Sequence, residues 1–146
     1  MKNTLISFIA ILFIASCSTT HKVPSVLFQT YSKYKESTNE NNIKEVASVY
    51  FSQSLLGKNY RTNSDAIRQL LFKDYMISIV NHHEQVKFQN GCLTINGYDE
   101  ESAPLIFSLK YLLKDGRWLI DKIHVVFIES KNDFNQEAKC PKSYIN

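Results

Sequence analysis

The sequence has few glycines and prolines, and it lacks any block of charges of one sign. It contains 4 glycines and 3 prolines in 146 residues, and we find no internal repeat and no low-complexity segment. No run of about five or more like charges is present, so nothing in the sequence supports nucleic acid binding. Glycine-rich phosphate loops, nucleophile elbows and paired-carboxylate motifs are also missing, which removes the common sequence signals for phosphate binding and hydrolysis.

The apolar run near the N-terminus, residues 5–16, is too short to span a membrane. It has twelve residues, whereas a spanning helix needs about 20. With Lys2 in front of it, the run is typical of the core of a signal peptide. It ends in Ile14-Ala15-Ser16-Cys17, which resembles the lipobox of bacterial lipoproteins. The resemblance implies a lipoprotein signal peptide at residues 1–16 and lipid on the thiol of Cys17.

Lipidation would tie the chain to a membrane. Each buried methylene of a lipid chain contributes about 0.8 kcal/mol, and more than one chain gives stable anchoring. Residues 17–23 then form a short lipidated tether. By resemblance to lipoprotein sorting, Ser18 in place of aspartate favours the outer membrane over the inner, with the protein facing the periplasm. The alternative is an ordinary secretory signal cut nearby, with Cys17 incidental.

The other two cysteines, Cys92 and Cys140, form an even pair in what would be an oxidising compartment. Neither belongs to a Cys-x-x-Cys motif, and no histidine or aspartate accompanies them at the spacing of metal ligands. We therefore predict a disulfide that pins the C-terminal tail to the body of the domain. A reactive thiol or a metal ligand is the alternative interpretation.

The length of the chain leaves room for one domain, residues 24–146, and 44% of all residues are apolar, enough for a core. Helical periodicity comes first, and alternating or β-branched and aromatic strings follow. The patterns predict helices at residues 23–35, 41–56 and 64–81, and strands at residues 85–89, 92–98, 105–114 and 117–129.

Turn signals join the predicted strands in pairs. Asn90-Gly91 predicts a hairpin between the first two strands, and Asp115-Gly116 predicts a firmer one between the last two. The apolar alternation of the last strand changes phase near Asp121-Lys122, which predicts a β-bulge there. Helices followed by an antiparallel sheet indicate an α+β fold.

Residues 112–120, which include Asp115-Gly116-Arg117-Trp118, resemble the final hairpin of the nuclear transport factor 2-like superfamily. The order of elements in residues 23–129 is similar too. The resemblance implies a cystatin-like α+β fold, in which N-terminal helices pack on a bent antiparallel sheet around a cone-shaped cavity. It implies a pocket but no activity, because this fold hosts enzymes, binding modules and dimerisation domains.

Only a few polar residues suggest chemistry. In His82-His83-Glu84 the neighbouring side chains point in different directions, so we interpret the triplet as a polar helix end and expect no metal site. Relatives that are enzymes use carboxylates, tyrosines or histidines in the cone, which makes Asp121, His124 and Tyr111 weak catalytic candidates. No enzyme motif can be laid onto them, and no cofactor is expected.

Three functional hypotheses remain. The first is an envelope lipoprotein that acts as a non-catalytic binding module for a protein partner or a small apolar ligand. The second is a small acid–base enzyme of the isomerase or dehydratase type, which requires an ionisable group deep in an apolar cavity. The third is a homodimer formed through the open face of the sheet. A cone filled by Tyr50, Tyr75, Phe107 and Trp118 would argue against the enzyme.

Overall fold

The computed structural model describes residues 25–141, in which short helices precede an open, curved antiparallel sheet of four strands. The predicted α+β class is confirmed, and the architecture is compatible with the cone-shaped fold. The main elements are α1 (Val26–Ser37), α2 (Ile43–Tyr50), α3 (Gln53–Leu56), α4 (Ser64–Gln69), β1 (Ser78–Lys87), β2 (Asn90–Tyr98), β3 (Pro104–Lys114) and β4 (Arg117–Phe127). The strands lie side by side in chain order.

The first helix, α1, is held to the sheet by its buried face and by its N-terminus. Leu27, Tyr31 and Tyr34 are fully buried at helical spacing. The helix has no cap from its own Ser25 side chain. Instead, the Glu84 carboxylate on β1 accepts hydrogen bonds from the backbone N–H groups of Leu27 and Phe28, both at 3.1 Å. An acceptor with negative charge suits these otherwise unpaired donors.

The second predicted helix, residues 41–56, is wrong as one element. It begins at Ile43 and breaks after Tyr50, where Phe51 adopts an extended backbone and pairs with Ile120 of β4. The Ser52 N–H then donates to the Ile120 carbonyl at 2.9 Å. Ser52 also caps α3 by accepting from the Leu55 N–H. Pairing with the sheet edge therefore outweighs the helical periodicity.

The third predicted helix, residues 64–81, is wrong in its length, because the helix in the structure ends much earlier. Helix α4 stops at Gln69, a 3-10 turn covers Phe72–Tyr75, and β1 already begins at Ser78. Strand β1 pairs with β2 along its whole length, except for an irregularity between Ile79 and Asn81. Residues 82–84 consequently lie in a strand, and their interpretation as a polar helix end is wrong.

The predicted turn at Asn90-Gly91 is also wrong, because the chain reverses two residues earlier. Phe88 and Gln89 form the turn, with Phe88 at φ +51°, while Asn90 already pairs with Lys87. Gly91 serves a different purpose: a Cβ there would come within 2.6 Å of the Leu27 Cδ1 atom. A glycine at this point lets α1 approach β2 closely.

The β3–β4 hairpin follows the prediction. Asp115 and Gly116 form its turn with φ values of +50° and +73°, as a two-residue turn requires. Lys110 pairs with Lys122 and Tyr111 pairs with Ile120, so Asp121 is the extra residue of a β-bulge. The predicted bulge is confirmed.

The outer face of the sheet, which points away from the helices, is covered along β2 by residues 128–141. We call this segment the C-terminal strap. Every second residue of β2 contacts one strap residue: Tyr98 contacts Phe134, Asn96 contacts Asn135, Thr94 contacts Lys139 and Cys92 contacts Cys140. The Cys92 and Cys140 sulfurs lie at disulfide-bonding distance, with 4.8 Å between their Cα atoms. The strap therefore places the predicted pair together.

Candidate functional site

The space between the helices and the sheet is filled by aromatic side chains. The rings of Tyr34 and Phe72 stack at 5.5 Å, and Phe72 meets Phe107 edge-on at 5.2 Å. Phe51 packs edge-on against Tyr34 at 5.2 Å. These four residues and Tyr31 are at most 3% exposed. We call this set the aromatic cluster. It fills the interior where the family resemblance implies a cone-shaped cavity.

The four residues expected to fill the cone contribute unequally. Phe107 is fully buried in the aromatic cluster. Tyr50 is half-buried and packs against Tyr34, with 5.7 Å between the ring centroids. Trp118 is also half-buried, and Tyr75 is 56% exposed. The interior is thus filled mainly by residues of α1 and of the Phe72–Tyr75 turn that were not assigned to it from the sequence.

Tyr111 lies on the helix-facing side of β3 and is fully buried. Its hydroxyl, like that of Tyr31, has no hydrogen-bond partner among the described residues. Burial raises the pKa of the Tyr111 hydroxyl well above its ordinary value, and the nearby Tyr31, Tyr34 and Glu84 raise it further. The hydroxyl therefore keeps its proton and cannot act as a base near neutral pH.

Asp121 is buried, at 8% exposed, and the contacts of its carboxylate give it a structural role. Its carboxylate accepts a hydrogen bond from the Ser52 hydroxyl at 2.7 Å, and the Lys110 ammonium lies 3.6 Å away. Ser52 belongs to the α2–α3 connection that pairs with the edge of β4. Asp121 thus holds this connection to the sheet bulge.

His124 lies on the opposite face of the sheet from the aromatic cluster. It pairs with Ser108, whereas its neighbours Ile123 and Val125 pack against the core on the helix side. The three catalytic candidates are therefore not brought together: Tyr111 is inside, Asp121 is at the bulge, and His124 is on the outer face.

A groove lies at the open side of the cone, between the short helices and the second half of β4. We call it the rim groove, and its volume is about 560 Å³. Its walls are mostly apolar, and the three polar residues among them are Asp65, Arg68 and Gln69. The complete lining consists of Leu55, Leu56, Tyr60, Asp65, Ala66, Arg68, Gln69, Leu70, Phe72, Tyr75, Ile123 and Val125. Arg68 and Asp65 form an exposed ion pair at 3.2 Å. The size and lining are typical of sites for small molecules.

The His82-His83-Glu84 triplet has structural contacts on both faces of β1. The His82 ring stacks on the Phe28 ring, with 3.7 Å between centroids and planes 2° apart. Glu84 caps α1, and His83 lies on the other face, where it lines a shallow depression with Glu137. Among residues 25–141, no group of three histidine, cysteine, aspartate or glutamate residues could hold a metal ion.

Sequence reasoning missed the rim groove and the capping role of Glu84. Ile123 and Val125 carried a partial signal, because they belong to a regular apolar set after the bulge. Ala66 and Leu55 are apolar residues on two separate short helices, and their sequence neighbours do not indicate that they share a groove with β4.

Comparisons with protein-family models and with curated proteins find no match for this chain. In the part of the chain that the structure describes, no helix is long and apolar enough to cross a membrane. Cys17 and residues 1–16 lie outside the described residues. Function is therefore inferred from the geometry of the domain and from the motifs of the sequence.

Proposed function

We propose that this protein is an envelope lipoprotein whose α+β domain is a non-catalytic binding module. Its rim groove would take an apolar group, either a small apolar ligand or a side chain of a protein partner. The observation that carries the proposal is the contrast between the filled interior and the open rim. The aromatic cluster leaves the apolar surface of Ile123 and Val125 facing a groove of about 560 Å³.

The walls of the groove suit an apolar guest. Leu55 and Ala66 face it from α3 and α4, and Tyr75 presents a ring that is 56% exposed. Burying apolar surface on both partners contributes about 25 cal/mol per Å² before the losses of association. The Arg68–Asp65 pair at the margin supplies polar groups that can orient the guest.

We further propose that Cys17 anchors the module, following the lipobox resemblance of residues 14–17. Residues 17–23 would be the tether, and Ser18 favours the outer membrane, with the domain facing the periplasm. Membership of the nuclear transport factor 2-like superfamily is part of the same proposal. It is supported by the Asp115-Gly116 hairpin turn and by helices that precede an antiparallel sheet.

No observation on the described residues favours the acid–base alternative, because Tyr111, Asp121 and His124 lie in three separate places. A homodimer through the sheet face stays a hypothesis. The C-terminal strap covers that face along β2, so such a dimer would have to use β3 and β4, where Lys122 and Val126 are half-buried.

The rim groove can be tested by filling it. We expect the variant Ala66→Trp to lose most of its binding of 1-anilinonaphthalene-8-sulfonate, an anionic dye with apolar aromatic rings, because the indole would occupy the space between α4 and β4. The matched control is Val49→Trp, which adds the same side chain to an exposed position of α2 that does not line the groove. The measurement is a fluorescence titration of both full-length variants and the parent.

Equal dye binding by the parent and both variants would contradict the proposal. Denaturant unfolding of each variant is the control for misfolding, since loosely packed chains also bind such dyes. To detect a protein partner, a photo-crosslinking residue at Gln69, on the groove wall, should capture an adduct in cells that the same residue at Val49 does not.

A further inference from the structure

The tip of the β1–β2 hairpin carries a phenylalanine that the fold does not use. Phe88 is 97% exposed and stands in the turn at φ +51°. This left-handed conformation favours glycine or asparagine, and a large apolar residue is unusual in it. The side chain adds nothing to the core, and its ring is accessible to a partner outside the domain.

Phe88 lies at the end of the sheet where the chain enters the domain. The two hairpins share this end, because the Leu113 N–H donates to the Gln89 carbonyl at 2.8 Å. The start of α1 is nearby, since the Ser25 hydroxyl donates to Glu84 at 2.5 Å. We call this region the hairpin end, defined by residues 25–26, 86–90 and 113–118.

The hairpin end is basic and the opposite end of the sheet is acidic. Exposed Lys87, Lys114 and Arg117 surround the two turns together with Asp115. Two further carboxylates, Glu84 and Glu137, border the depression beside Ser25 and Val86. At the other end, the β2–β3 connection and the segment after β4 carry five carboxylates and one lysine: Asp99, Glu100, Glu101, Glu129, Asp133 and Lys131. The two turns of the hairpin end therefore carry more basic than acidic side chains, and an anionic surface would attract these turns.

The length of chain between the proposed lipid and the domain limits the orientation. Cys17 stands eight positions before Ser25, so even a fully extended tether reaches only about 30 Å. A domain of this size measures roughly 35 Å across. The tether keeps the hairpin end close to the bilayer, whereas it cannot present the acidic end equally well.

We propose that the hairpin end docks on an anionic phospholipid bilayer, with the Phe88 ring in the interfacial layer and Lys87, Lys114 and Arg117 against the headgroups. Val26 and Val86, 37% and 42% exposed, add apolar surface beside the entry of the chain. Aromatic rings and basic side chains are the groups that favour the membrane interface. This proposal rests on the proposed anchor at Cys17. Docking would fix the rim groove at a set height above the membrane.

The experiment measures how deep position 88 lies in the bilayer. Phe88→Trp is made in a Trp118→Phe background, and the mature protein is placed in vesicles of phosphatidylethanolamine and phosphatidylglycerol with brominated acyl chains. The matched control is Ile77→Trp in the same background, since Ile77 is 61% exposed and bonded to Tyr98 at the acidic end. We expect the tryptophan at position 88 to lose about half of its emission, and that at position 77 to lose none.

Reversing the charge with Lys87→Glu, Lys114→Glu and Arg117→Glu together should restore most of the emission at position 88. The proposal is overturned if position 88 is not quenched, if both positions are quenched alike, or if the reversed charges change nothing. Intact mass of each sample separates this proposal from the anchor. An unmodified Cys17 contradicts the anchor, whereas a lipidated Cys17 with an unquenched position 88 contradicts docking alone.

Discussion

The two faces of strand β2 are buried by different means. Leu93 and Ile95 point towards the helices and are fully buried against apolar side chains. Thr94 and Asn96 point the other way and are equally buried, but under the C-terminal strap. The Asn96 amide donates to the Asn135 carbonyl at 2.8 Å, and the Thr94 hydroxyl accepts from the Lys139 N–H at 2.8 Å.

This difference shows that burial alone does not define a core. Apolar contact is non-directional and grows with area, so the helix face tolerates adjustment as long as it stays filled. A buried polar face depends on pairing, because an unpaired group costs about 1–3 kcal/mol. On this face the Asn96 Oδ1 atom has no hydrogen-bond partner among the described residues, whereas the Asn96 amide and the Thr94 hydroxyl are paired. The strap has few apolar residues to hold it, and the Cys92–Cys140 pair supplies a covalent link at its far end.

The largest expected effect is on the helix face. Phe107→Ala should lower the free energy of unfolding by about 3–5 kcal/mol, because it opens a cavity in the aromatic cluster. The control is Phe127→Ala on β4, where the ring is 52% exposed, and its effect should be within about 1 kcal/mol. Denaturant unfolding measures both. Similar losses in the two variants would show that the aromatic cluster is not the main core.

Removal of the disulfide should have the next largest effect, and it acts on the strap face. The bond joins residues 48 positions apart, so replacing both cysteines by serine should destabilise the domain by about 2–4 kcal/mol. A reducing agent should produce the same loss in the parent and none in the double variant. Amide hydrogen exchange should rise in residues 128–141 before it rises in α1.

The outcome for hydrogen exchange separates the two faces. If the strap and α1 lose protection together in the reduced protein, the two faces form one cooperative unit and the contrast fails. If free thiols are found at Cys92 and Cys140 without reduction, the disulfide itself is wrong. Phe107→Ala is the comparison here, because its loss of stability should be independent of the reducing agent.

Local signals in the sequence predicted the parts of the fold whose partners are close along the chain. Asp115-Gly116 joins two strands that pair directly, so the turn and the alternation of β3 agree. The phase change near Asp121 is visible as a break in a period of two, and it is the bulge. The α1 stripe of Leu27, Tyr31 and Tyr34 similarly needs only helical periodicity.

The errors arose where a distant partner decides the local structure. Residues 78–81 can continue a helix by periodicity, but they pair with β2, and Phe51 leaves its helix to pair with β4. Gly91 resembles half of a turn signal, but it is needed for the approach of Leu27. No local pattern carries information about these contacts, which form only when the sheet and helices assemble.

The candidate site was less predictable than the fold. The rim groove exists because short helices α3 and α4 leave Ile123 and Val125 partly uncovered, and the predicted long helices gave no reason to expect such a gap. Tyr111 and Asp121 were identified as polar residues of interest. Their roles, one buried in the core and one tied to Ser52, depend on contacts across the domain.

The smallest expected effect concerns two buried hydroxyls within the helix face itself. Tyr34 donates to the Leu70 carbonyl, whereas the Tyr31 hydroxyl has no partner among the described residues. Tyr34→Phe should therefore lower the free energy of unfolding by about 1 kcal/mol, and Tyr31→Phe should leave it unchanged or slightly raised. Denaturant unfolding at pH 7 compares them, and equal losses would mean that Tyr31 has a hydrogen-bond partner in solution.

Alkaline pH separates the hydroxyl from the ring. Burial raises the pKa of both Tyr31 and Tyr34, so above about pH 10 the unfolded chain releases protons that the folded domain retains. Stability is then unaffected by these groups below pH 10 and falls above it, by about 1.4 kcal/mol per pH unit for each tyrosine. Tyr31→Phe should reduce the slope of this fall by about 1.4 kcal/mol per pH unit, while the free energy of unfolding at pH 7 stays the same. An unchanged alkaline slope would place the Tyr31 hydroxyl in contact with water and the aromatic cluster at the surface, which would remove the contrast between the two faces of the sheet.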